Sequence, residues 1–136
     1  MRNLGFILVL FCLSAFYAGC TGSGSRNKAA ANQEQVALAE SILLYFQQEQ
    51  FEKIVDHFDD KMKMQLNKEQ LAAVWAQLNA QAGKYAKSEF YSAAKIGTAG
   101  DRVIYLCQFG SQKLYFQLVF GKSNKIAGLF FKPQPN

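Results

Sequence analysis

The stretch Leu114-Tyr115-Phe116-Gln117-Leu118-Val119-Phe120-Gly121 is the clearest structural signal in this chain. Large apolar residues recur at every second position before Gly121, and successive side chains of a β-strand point to opposite faces of the sheet. The first face would carry Leu114, Phe116, Leu118 and Phe120, and the second Tyr115, Gln117 and Val119. We expect a strand whose first face packs on helices and whose second face lies outward.

Three other segments in the C-terminal half are also predicted strands. They lie near 85–96, 102–109 and 126–132 and are rich in aromatic and β-branched residues. Short runs containing Gly, Ser, Asn and Asp separate them from one another and from the strand at 113–120, as expected for tight turns. This spacing predicts a four-stranded antiparallel sheet.

Three helices are predicted in the N-terminal half, where apolar residues recur at helical spacing. The first covers 33–48 and the second 51–58. The third begins after the capping residue Asn67 and stops at Gly83. The intervening segment 59–66 is predicted as a short loop or a turn of helix. Helices followed by strands predict an α+β fold, with the three helices packed on the sheet.

The composition fits one globular domain. The chain has 136 residues, of which 50% are apolar and 18% are charged, and these values exclude a disordered chain, a collagen-like fibre and a two-domain enzyme. The formal net charge is +5, and the lysines are scattered along the sequence rather than clustered. We therefore predict no nucleic-acid partner.

The N-terminus has the layout of a secretory signal peptide. A basic residue precedes the apolar run 4–16, which is too short for a membrane-spanning helix of about 20 apolar residues. Tyr17-Ala18-Gly19-Cys20 then resembles the bacterial lipobox, in which small residues precede a cysteine that is lipidated after cleavage. Tyr17 departs from the usual aliphatic residue. We predict a lipoprotein signal at 1–19 and lipid on Cys20, with ordinary secretion after a cut near Cys20 as the alternative.

The lipid on Cys20 would make a membrane the first partner of this protein. The segment 20–32 is predicted to comprise this cysteine and a flexible polar tether, followed by a single α+β domain at 33–136. Thr21 is not the Asp that retains many Gram-negative lipoproteins at the inner membrane. The lipobox resemblance therefore implies an outer-membrane anchor facing the periplasm, or the outer face of the cell membrane in a bacterium with one membrane.

Processing would leave one cysteine in the mature chain. Cys12 lies in the signal and Cys20 carries lipid, so Cys107 remains and no internal disulfide is expected. Cys107 lies in a predicted buried strand, which favours an inert core residue over a nucleophile. One histidine and one thiol do not make a typical zinc site, and no phosphate-binding glycine loop is present. We predict no metal and no cofactor.

The final hairpin carries a family resemblance. It consists of the strand 116–120, the turn Gly121-Lys122 and the segment 125–133. Together with the helical pattern and Trp75, this hairpin resembles the domain of unknown function 3887 family over about 36–133. The resemblance implies a cystatin-like, nuclear-transport-factor-2-like fold, in which a curved sheet wraps around helices as a cone that often encloses a pocket.

Relatives within that fold include isomerase-like and dehydratase-like enzymes, which need a general base inside the cone. The two candidates are His57, the sole histidine, and Glu89 in the sheet half. We expect a partly exposed structural histidine and a surface glutamate, and we predict no catalytic residue; a small enzyme using the cone is the alternative. Such domains often precede an α/β-hydrolase-type domain, so an accessory role to a separate hydrolase-type protein is a further alternative.

The aromatic residues favour a binding role. The candidate ligand-binding residues are Trp75, Tyr91, Tyr105, Tyr115, Phe116 and Gln117. Tyr115 and Gln117 are the better candidates for an outward surface. The predicted function is an envelope lipoprotein with a non-catalytic domain that binds a small apolar ligand or a protein partner. The fold resemblance also implies a homodimer paired through the sheet as an alternative.

Overall fold

The computed structural model describes residues 26–98 and 100–134. The predicted signal peptide and the lipobox with Cys20 lie outside these residues. No helix in the described part of the chain is long and apolar enough to cross a membrane.

Four α-helices precede the sheet, one more than the sequence predicted. Their bounds are α1 Gln33–Gln47, α2 Phe51–Asp56, α3 Asp60–Gln65 and α4 Lys68–Ala82, with a 3₁₀ turn at Lys28–Ala30 before α1. The additional helix, α3, forms within the segment predicted as a loop or a turn of helix. The Asp59 side chain caps α3 by accepting a hydrogen bond from the backbone N–H of Met62 at 2.8 Å. Met62 is also the buried residue of this helix.

The predicted limits of α4 are confirmed. The Asn67 side chain accepts a hydrogen bond from the backbone N–H of Gln70, and the Gln70 side chain accepts one from the backbone N–H of Asn67, each at 2.9 Å. This reciprocal pair is a capping box. Gly83 ends the helix at a φ of 95°, and a Cβ atom there would lie 2.8 Å from the Cα atom of Gly110. The absence of a side chain therefore lets the end of α4 approach the turn between two strands.

The strands form one antiparallel sheet, as predicted. They are β1 Tyr85–Ile96, β2 Gly100–Phe109, β3 Gln112–Phe120 and β4 Ile126–Pro133, in the spatial order β1-β2-β3-β4. Register shifts in β1 and at the end of β3 mark bulges, which bend and twist a sheet. The α+β class with helices against a curved four-stranded sheet is thus confirmed.

Phe46 of α1 lies at the centre of the core between the helices and the sheet. Its ring centroid is 5.0 Å from that of Trp75 on α4, 6.2 Å from Phe116 on β3 and 5.5 Å from Phe131 on β4. Phe46 and Phe116 are completely buried. Because these rings come from four elements, their contacts fix the helices against the inner face of the sheet.

Replacing Phe46 tests this arrangement. Phe46→Ala should lower the free energy of unfolding by about 3–5 kcal/mol, because the lost ring leaves a cavity between four elements. Leu44→Ala is the control on the same helix: Leu44 is 47% exposed, so its truncation should cost within about 0.5 kcal/mol. Urea denaturation followed by circular dichroism measures both changes. Equal losses for the two variants would contradict the central position of Phe46.

Candidate functional site

The side of the sheet that points away from the helices is only partly buried; we call it the outer face. In β2 the buried residues Val103, Tyr105, Cys107 and Phe109 alternate with residues that are only half-buried. Strand register extends this alternation across the sheet. The outer face carries, in β1 to β4 order, Lys87, Glu89, Tyr91, Arg102, Ile104, Leu106, Lys113, Tyr115, Gln117, Val119, Phe130 and Lys132.

Aromatic side chains occupy the middle of the outer face. The rings of Tyr91 and Tyr115 lie 4.8 Å apart between centroids, and a hydrogen bond with Tyr91 raises the pKa of Tyr115. Phe130 is paired in register with Gln117, and the Lys132 Nζ atom lies 5.3 Å from the centroid of the Phe130 ring. Cations therefore lie directly against aromatic rings on this surface.

The six predicted binding residues fall into two groups: three lie on the outer face of the sheet, and three lie in the core. Tyr91, Tyr115 and Gln117 lie together on the outer face and are half-buried. The remaining three belong to the core: they are Trp75, Tyr105 and Phe116, with exposed fractions of 6%, 2% and 0%. The six side chains therefore do not share one surface.

Tyr105 is held in the core by a polar contact at its hydroxyl. That hydroxyl donates a hydrogen bond to Glu40 Oε1 at 2.8 Å, and burial together with this bond raises the pKa of Tyr105. Glu40 also forms an ion pair with Lys28 Nζ. The Lys28 and Tyr105 contacts lower the pKa of Glu40. Because Lys28 belongs to the 3₁₀ turn, this cluster attaches the start of the described chain to α1 and β2.

The described chain begins beside the outer face. The guanidinium carbon of Arg26 lies 5.4 Å from the centroid of the Tyr91 ring. The 3₁₀ turn that follows Arg26 also contacts β1, the edge strand. Arg26, the first described residue, therefore lies on the side of the outer face.

Two recesses lie at the surface, and neither is lined by Trp75, Tyr105 or Phe116. The smaller, of about 130 Å³, is on the outer face; it is lined by Lys87, Ser88, Glu89, Leu106, Gln108 and Lys113. The larger, of about 440 Å³, lies where α2 begins beside the first turns of α4. Its lining includes Gln50, whose Oε1 atom is buried without a hydrogen-bond partner.

Charge is distributed unevenly between the helical part and the sheet part of the chain. Residues 84–134 carry eight Lys and Arg against two Asp and Glu, whereas residues 26–83 carry six against eight. On the outer face Lys87, Lys113 and Lys132 are joined by Arg102 and, from the neighbouring segment, Arg26. Their acidic counterpart on the face is Glu89. Three lysines that lie far apart in the sequence are thus brought to one face of the sheet.

Sequence reasoning did not assign the basic residues or Phe130 to a site. In β3 the alternation of the strand already indicates where Lys113 lies, since positions 113, 115 and 117 are two residues apart and share one face. In β4 the bulge and the consecutive apolar residues interrupt the alternation of apolar and polar positions. Only the register with β3 therefore places Phe130 and Lys132 on the outer face.

The two candidate catalytic residues lie apart. Glu89 is exposed on the outer face. His57 ends α2 and its ring stacks on Tyr45, with 6.4 Å between centroids. Burial and the nearby Lys125 lower the pKa of His57, while Asp56 opposes this effect.

Cys107 is buried as predicted, and burial raises its pKa to about 12. A thiol in this setting is a weak nucleophile at neutral pH. Within the described ranges, no group of three or more His, Cys, Asp and Glu residues is placed to hold a metal ion.

The lowered pKa of His57 predicts a pH dependence of stability. Below about pH 6.5 the unfolded chain binds a proton that the folded state resists, so stability falls as the pH falls through that value. His57→Gln should reduce the loss of unfolding free energy between about pH 7 and pH 5, a window that lies above the lowered pKa of Glu40. Urea unfolding at both pH values measures the loss. Lys61→Gln is the control, and an identical loss in wild type, control and His57→Gln would contradict the prediction.

Comparison with known proteins gives one family. Residues 39–129 match the family described as protein of unknown function (DUF3887). No curated protein and no solved structure matches the chain.

Proposed function

The chain belongs to the DUF3887 family of proteins of unknown function, and we propose that this member is a tethered, non-catalytic binding domain of a bacterial cell envelope. Its binding surface is the outer face. The observation that carries this proposal is the open set of half-buried aromatic residues, Tyr91, Tyr115 and Phe130, surrounded by basic side chains. Exposed aromatic and cationic side chains in one contiguous patch are typical of interaction surfaces.

The positions of the titratable groups favour binding over isomerase-like or dehydratase-like catalysis. Such an enzyme needs a base within reach of an enclosed substrate and a proton donor for the developing oxyanion. Glu89 is exposed, and in its register row Leu106 separates it from Tyr115. His57 lies at the end of α2, and its neighbours are Tyr45 and Lys125.

The interior also favours a surface for binding. Trp75 and Phe116 both pack on Phe46, and the two described recesses lie elsewhere. A ligand that entered the cone would have to displace these aromatic contacts, which contribute about 0.5–1.5 kcal/mol per pair beyond burial. A partner on the outer face displaces none of them.

Lipid on Cys20 would act as the tether's membrane anchor. Cys20 lies six residues before Arg26, and an extended chain of this length spans at most about 20 Å. The domain would then stay close to the membrane surface, on the periplasmic side of an outer membrane or on the outer face of a single cell membrane.

Metabolic labelling tests the anchor. Cells that express the full chain and are grown with a radioactive fatty acid should yield a labelled protein in the membrane fraction. Cys20→Ser should abolish the label, because no sulfur remains at that position to be acylated. Cys12→Ser is the matched control, since Cys12 lies inside the predicted signal and should leave labelling unchanged. A wild-type protein that is exported without label would contradict the lipid anchor.

A further inference from the structure

We propose that the partner of the outer face is an anionic phospholipid surface, so that the domain lies with this face on the membrane to which it is tethered. The proposal rests on the proposed function, because it names the partner of the same surface. It follows from the charge of the face, its aromatic centre, a recess lined by two lysines and one glutamate, and the position of Arg26.

The charge of the outer face complements anionic lipid headgroups. Lys87, Lys113 and Lys132 lie on three different strands, so the positive charge is spread over the width of the sheet. No ion pair joins any of them to a carboxylate in the part of the chain that the structure describes. The helical part of the chain, residues 26–83, has more acidic than basic residues, and an anionic surface would therefore orient the domain with its sheet toward the lipid.

The aromatic centre suits the interfacial region of a bilayer. Tyrosine rings prefer the level of the headgroups, where the ring is in contact with acyl chains and the hydroxyl with water. Tyr91 and Tyr115 are paired on the face, and Phe130 lies on the neighbouring strand with Lys132 over its ring. An aromatic cluster with basic neighbours combines apolar burial with electrostatic attraction, the two contributions that hold proteins at a membrane surface.

The recess of about 130 Å³ provides a place for a lipid phosphate. Lys87, Gln108 and Lys113 form one register row across three strands, so the two ammonium groups flank the recess. The Gln108 side chain donates to the backbone carbonyls of Gly110 and Gln112 and so is held toward the turn. The recess is also lined by Glu89 and Leu106, so its two lysines outnumber its one carboxylate and leave a net positive charge for an anion.

The position of Arg26, together with the proposed lipid on Cys20, would bring this face to the membrane. Arg26 lies over Tyr91, and Cys20 is only six residues earlier. An anchor at that distance raises the effective concentration of the surface to the order of millimolar, so weak contacts are enough to dock the domain. Arg26 adds a further positive charge at the edge of the same surface.

A second copy of the chain fits the outer face less well. Pairing two such faces would bring together two surfaces that each carry Lys87, Lys113, Lys132 and Arg102. Like charges in apposition disfavour an interface, whereas anionic lipid neutralises them. The charge of the face therefore favours lipid over a homodimer through the sheet.

Tryptophan fluorescence in vesicles tests the proposal. The full chain carries Trp75→Phe and Phe130→Trp, which leave one reporter on the outer face; a second protein carries Trp75→Phe and Met64→Trp as the helical control, since Met64 is 88% exposed. Both are reconstituted with vesicles of phosphatidylcholine alone or of equimolar phosphatidylcholine and phosphatidylglycerol, with brominated acyl chains as quenchers. The reporter at 130 should be blue-shifted and quenched in the anionic vesicles at low salt, and the reporter at 64 should not.

Charge variants supply the matched comparison. Each basic residue near an anionic surface contributes roughly a fivefold preference for the docked state, so Lys87→Gln, Lys113→Gln and Lys132→Gln together should lower the docked-to-free ratio on the order of 100-fold. Lys61→Gln, Lys63→Gln and Lys68→Gln remove the same charge from exposed helical positions and should leave docking nearly unchanged. Equal effects of the two triple variants would overturn the proposal, as would equal quenching of the two reporters.

Mass spectrometry of the N-terminus in the same preparation separates the two proposals. An acylated chain whose reporter at 130 is not quenched contradicts docking and leaves the anchor intact. A chain without acyl groups whose reporter is quenched in anionic vesicles contradicts the anchor and supports docking. A shift of the reporter at 130 that needs no lipid and grows with protein concentration would identify a second copy as the occupant and overturn the proposal.

Discussion

The insertion of Phe46 between the helices and the sheet is the contact on which the rest of the structure depends. One ring from α1 meets Trp75 of α4, Phe116 of β3 and Phe131 of β4, so the position of each element limits the others. Such contacts also fill the concave side of the sheet with aromatic rings. Because a filled interior offers little room for a ligand, we propose the opposite side of the same sheet as the functional surface.

The sheet therefore has two different faces built from one alternating sequence. Inner positions of β3 are completely or almost completely buried, and the residues between them form the half-buried outer face. The fold also concentrates positive charge on that side, since most of the carboxylates belong to the helices. The contact of Arg26 with Tyr91 places the first described residue beside the outer face. An apolar and basic surface next to the proposed membrane tether is what docking on anionic lipid requires.

Local patterns predicted the strands, the capping box and the two faces of β3, because these features depend on residues close in sequence. The helix α3 was not predicted as a helix, since six residues with one buried Met62 give almost no apolar period. The division of the six candidate binding residues depends on tertiary packing. Tyr105 lies on the inner side of β2, and its hydroxyl donates a hydrogen bond to Glu40, which is 65 residues away in the sequence. The basic outer face likewise requires the pairing of β4 with β3, which no local pattern in β4 reveals.

The single tryptophan gives the most direct test of a filled interior. Trp75 packs against Phe46 and is 6% exposed, so the native protein should show blue-shifted emission that iodide and acrylamide quench poorly. Unfolding in urea should shift the emission to the red and make quenching efficient. Native emission quenched as readily as that of the unfolded chain would show an accessible interior, and it would contradict the assignment of function to the outer face.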